Sequence, residues 1–108
     1  MAELEEGVRG LLTSRLTLIR KASEHTAELL KVQLAFARVE FDVVRCEMAL
    51  ERDSSDAAVS QELLVSLDQR EALALEGATL QAMLDAIEAD IFEIDQKITA
   101  PEREERDT

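Results

Sequence analysis

The sequence has no tryptophan, no tyrosine, a single proline and three glycines in 108 residues. Strands draw on β-branched and aromatic side chains, and tight turns draw on Gly and Pro. Both groups are thin, so a sheet-based architecture has little to build with. Cysteine is also scarce. Cys46 stands alone, which excludes an intrachain disulfide and fits a reducing compartment.

Chemistry-bearing residues are equally sparse. His25 is the only histidine. A di-metal carboxylate bundle needs two Glu-x-x-His pairs and two further Glu. None is present, and His25 and Glu28 run in the reverse order. There is no Gly-rich phosphate loop, no Ser/His/Asp set and no metal-ligand spacing. The expectation is a non-enzyme with no catalytic residue, no cofactor and no metal. No run approaches the roughly 18 consecutive apolar residues of a membrane span. The acidic start, Met1-Ala2-Glu3-Leu4-Glu5-Glu6, does not read as a targeting peptide. A cytoplasmic location is expected.

Positive charge is in deficit, with 12 basic residues against 24 acidic ones and a net charge of −12. Most of this surface would repel a phosphate backbone, so nucleic acid is not an expected partner.

What the sequence does contain is helix-forming Ala, Leu, Glu and Arg in a helical period. Steps of four and three from Leu4 reach Val8, Leu11, Arg15, Leu18, Ala22, His25, Leu29, Val32, Phe36, Val39, Val43, Cys46 and Leu50. This spacing holds one stripe on one side of a helix. Asp53-Ser54-Ser55-Asp56 follows, rich in side chains that cap helices and close turns. A second stripe runs Val59, Leu63, Ser66, Arg70, Leu73, Gly77, Leu80, Leu84, Ile87, Ile91, Ile94 and Ile98.

Folding the chain at the turn pairs the stripes residue by residue, with each pair of numbers summing to 109. Leu50 meets Val59, Phe36 meets Leu73, Val32 meets Gly77, and Leu11 meets Ile98. Charge supports the same antiparallel arrangement. Arg9, Arg15, Arg20 and Lys21 lie opposite Asp85, Glu88, Asp90, Glu93 and Asp95. The expected fold is therefore all-α. It is a long antiparallel two-helix hairpin, a coiled coil, forming part of a four-helix or larger bundle with partner chains. Helices are expected over about 3–52 and 57–100, with the turn at 53–56. Pro101 is expected to end the hairpin, and 102–108 to form a charged disordered tail. A break at Ser23-Glu24-His25-Thr26, a run of weak helix formers, would give three helices instead.

Several seam residues interrupt the apolar pattern. His25 faces Leu84 and reads as a partly buried structural ring, with an acid-sensitive switch as the second reading. Cys46 reads as a small buried hydrophobe, with an intermolecular disulfide or thiol sensing as the second reading. Arg15 and Arg70 should extend to carboxylates such as Asp95 or Glu40, fixing register, with contact to a partner as the second reading. Gly77 reads as room for the Phe36 ring, or as a kink.

A hairpin needs one apolar stripe per helix, yet the first helix carries two. The second stripe comprises Leu12, Leu16, Ile19, Leu30, Leu34, Phe41, Val44 and Met48, with Ala27 and Ala37 between them. It lies about 150° from the seam at ~100° per residue. Lys31, Arg38 and Arg45 run between the faces beside Glu28 and Asp42. The second helix offers a weaker companion in Leu75, Ala78, Ala82, Ala89 and Phe92.

Large apolar groups exposed together exceed what a monomer ordinarily shows to water. The eight large residues of the second stripe are thus candidate partner-binding residues. Their expected partners are other protein helices, in a hetero-complex or a homodimer. The expected role is a non-catalytic assembly or scaffold subunit. A small acidic chaperone for an amphipathic helical client is the alternative, and an acidic inhibitor or decoy the next. A first helix that bends to cover its own stripe, or a loose monomer, would require no partner.

Overall fold

A computed structural model describes the backbone of residues 2–106, with side chains described for residue 3 and residues 5–100. It contains two helices, α1 (Ala2–Arg52) and α2 (Ala57–Arg106). The chain is an all-α two-helix hairpin. None of the described residues has positive φ or a cis peptide bond.

The helices run through positions where local preference alone would stop them. Gly7 and Gly10 lie inside α1, and so does Ser23-Glu24-His25-Thr26. The three-helix alternative is therefore not adopted. Thr26 is accommodated inside the helix, its hydroxyl donating to the Ala22 carbonyl one turn back at 2.7 Å. Thr13, Thr17, Thr79 and Thr99 bond back one turn in the same way.

Pro101 corrects the sequence reading. The helix was expected to end there, but α2 continues to Arg106. Proline removes one amide donor and disfavours helical geometry before it, yet each is a local cost. The Glu and Arg residues that follow are strong helix formers and carry the backbone on. Of the expected tail, residues 107 and 108 lie outside the described residues, as does the side chain of Leu4 at the start of the seam.

The contacts divide into two compact units. One is the turn unit, Ala27–Gln81; the other joins the described parts of Met1–Thr26 and Ala82–Thr108. In the turn unit the link between helices is built from aspartate. The Asp53 carboxylate accepts from the Ser55 amide at 3.1 Å and the Ser55 hydroxyl at 2.6 Å. The Asp56 carboxylate accepts from the Val59 amide at 3.1 Å, which makes Asp56 the N-cap of α2. Its carbonyl accepts the first helical bond, from the Ser60 amide at 3.0 Å.

The seam of the turn unit buries Val32, Val43, Cys46, Ser66 and Leu80. Register is direct at Gly77, where a Cβ would lie 3.6 Å from Val32 Cγ1. These two residues belong to one layer of the expected pairing. In the other unit Leu84 and Ile87 are buried, and Arg15 Nε donates to Asp95 Oδ1 at 2.7 Å. Every seam position from Leu11 to Ile98 is buried or half-buried. The short link between Arg52 and Ala57 imposes the antiparallel direction, and the apolar seam fixes the register within each unit.

Candidate protein-docking face

All eight residues of the second α1 stripe are exposed. In the turn unit they are Leu30, Leu34, Phe41, Val44 and Met48, with Phe41 81% exposed and Leu34 66%. Phe41 belongs to the side of α1 opposite the seam, so α2 offers it no cover. Open grooves flank its ring. One is lined by Val44, Arg45, Met48, Ala49 and Arg52, the other by Ala37, Glu40 and Val44. In the other unit Leu12, Leu16 and Ile19 are exposed, Leu16 by 67%. α1 therefore does not shield its own second stripe within either unit.

The edges of the turn-unit face are charged. Arg45 Nη2 donates to Glu62 Oε1 at 2.6 Å and approaches Asp42 at 3.5 Å. The Glu62 hydrogen bond, and then its charge, hold the Arg45 proton more firmly than usual. Lys31 and Arg38, expected to pair along the helix, form no ion pair within 4.0 Å among the described residues. Glu40 and Glu47 form none either.

Seam residues fall into place unevenly. Arg15 reaches Asp95 as expected. Arg70 is half-buried and makes no ion pair with Glu40 or any other described residue. Cys46 is fully buried, and burial first, then the nearby Glu62 charge, push its thiol pKa up. It is a packed neutral thiol rather than an activated nucleophile. His25 is half-buried. Gly77 was expected to make room for the Phe36 ring, but Phe36 is not among the nearest atoms that a Cβ there would meet. An added Cβ meets Val32 and Leu29 at 3.6 and 3.9 Å, ordinary contact distances.

On α2 the companion residues Leu75 and Phe92 are exposed, by 71% and 63%. So are Leu64, Val65 and Met83, which the sequence reading missed. Leu64 and Val65 directly follow the seam residue Leu63. The helical steps from Leu63 to Ser66 leave both off the seam, which was the signal in the sequence that they would be exposed. Among the described residues no three His, Cys, Asp or Glu side chains cluster to hold a metal ion, and no helix is long and apolar enough to cross a membrane.

No known protein family, characterised protein or solved structure matches this chain.

Proposed function

We propose that this chain is a non-catalytic assembly subunit whose α1 docks helices of other protein molecules. One observation carries the reading: Leu30, Leu34, Phe41, Val44 and Met48 form an exposed row on the side of α1 that α2 leaves bare. Fully burying each such side chain is worth roughly 1.5–3 kcal/mol. A row of this kind is the surface on which a coiled coil adds a further helix. Its charged edges give a docking helix orientation.

The proposed partners are protein helices and not nucleic acid, because the net charge of −12 opposes phosphate. A cytoplasmic setting suits the single, buried, unpaired Cys46. The role needs no active site, cofactor or metal.

The test is Phe41→Glu. The side chain is exposed, so helicity by circular dichroism should stay essentially unchanged. Association, read as molar mass by light scattering and as co-purification with native partners, should be lost. An unchanged mass together with unchanged partners would reject the reading. A client-chaperone role predicts a different pattern, in which the free chain is monomeric and binds a synthetic amphipathic helix through the same residue.

A further inference from the structure

We infer that the occupant of the α1 face in the turn unit is a second copy of this chain, with the two α1 helices parallel and in register. The inference rests on the reading of that face as a docking surface. It is carried by the charges bordering the face. The steps from Ala27 to Met48 alternate three and four, so the row is a heptad seam. Leu34, Phe41 and Met48 take its a positions, and Leu30, Ala37 and Val44 its d positions.

The two edges of this seam then differ in sign. The e positions are Lys31, Arg38, Arg45 and Arg52, all basic. The g positions are Gln33, Glu40 and Glu47, with no base. All seven side chains are exposed. The grooves beside Phe41 repeat the asymmetry, one walled by Arg45 and Arg52 and the other by Glu40. Lys31, Arg38, Glu40 and Glu47 have no ion-pair partner among the described residues.

Geometry converts this pattern into a direction. In a parallel two-stranded coil, a g residue faces the e residue five places further along the other chain. Glu40 then meets Arg45 of the second copy, Glu47 meets Arg52, and Gln33 meets Arg38. Twofold symmetry makes each pair twice. In an antiparallel coil e faces e and g faces g. Arg38 would meet Arg38, and Glu40 would meet Glu40. Charge therefore favours the parallel copy and opposes the antiparallel one. Arg45 has donors beyond the one it gives Glu62, so both contacts can coexist.

Two variants of the full chain test this. Ala37 is exposed at a d position, where a parallel in-register copy sets residue 37 against residue 37. Ala37→Cys should give a disulfide-linked dimer in a glutathione redox buffer, mapped by mass spectrometry to 37–37. The unmodified chain should give none, because Cys46 is buried in the hairpin seam. The second variant is Glu40→Arg with Glu47→Arg. Self-association, measured by sedimentation equilibrium, should weaken roughly tenfold at low salt, and less as salt is added. An antiparallel pair would exchange like charges for like and lose nothing. A dimer with no 37–37 link and no response to the charge reversal overturns the inference. So does a chain that stays monomeric at high micromolar concentration. If Phe41→Glu still strips a partner from the native complex in that case, the docking reading stands without the second copy. If it does nothing, both fall.

Discussion

At the scale of the residue, the seam contains positions held by contact and one held below its capacity. Gly77 is the latter. Glycine in a helix interior costs about 1 kcal/mol relative to alanine, and ordinary contact distances await an added Cβ. Gly77→Ala should raise stability by roughly 0.5–1 kcal/mol, read from the urea midpoint at unchanged slope. A loss would mean that Val32 cannot yield. Cys46 behaves oppositely, because its burial is complete. Its thiol should resist alkylation in the folded chain and react readily in urea. The raised pKa favours the neutral thiol, so its contribution to stability is complete below the ordinary thiol range and is lost as pH rises through the raised value. Asp53 titrates in the other direction. Its two bonds from Ser55 lower its pKa, so its contribution holds above the usual carboxylate range and disappears as pH falls through the depressed value.

At the scale of the element, α2 starts at a definite signal and runs past an expected stop. Asp56 caps its third amide and should be needed for that start. Asp56→Ala is expected to cost about 1 kcal/mol in thermal or urea unfolding, whereas Asp56→Ser should recover most of it. The turn was legible in the sequence because Asp and Ser act through short-range hydrogen bonds. The seam was legible too, since Leu, Val and Ile recur at helical steps on both sides of the turn. Pro101 misled because the rule it obeys is local, while the Glu and Arg beyond it favour helix. Arg70 misled for a different reason. The fold-back pairing set it against Val39, next to Glu40, but no ion pair joins Arg70 and Glu40 in the folded chain.

At the scale of the whole molecule, the excess of acid on the chain opposes self-association in general, but it lies after residue 52; α1 as a whole is nearly balanced, with nine acidic residues against eight basic ones. The docking face was visible as a second row of large apolar residues on one helix. Its exposure was not, because a sequence does not say whether a helix will bend or a neighbouring segment fold over it. The sign of each edge became meaningful only once Lys31, Arg38, Glu40 and Glu47 proved to have no ion-pair partner among the described residues. Leu64, Val65 and Met83 remain exposed on α2, and nothing in the structure explains them.

The most direct measurement is thiol labelling at position 34, in the native assembly and in the dissociated chain. Leu34 is 66% exposed on the bare side of α1, so Leu34→Cys should leave the fold intact, with Cys46 silent in the seam. Protection of Cys at position 34 in the native assembly, with rapid labelling once the chain is dissociated, is the predicted result. Labelling at the same rapid rate in both states would contradict the account.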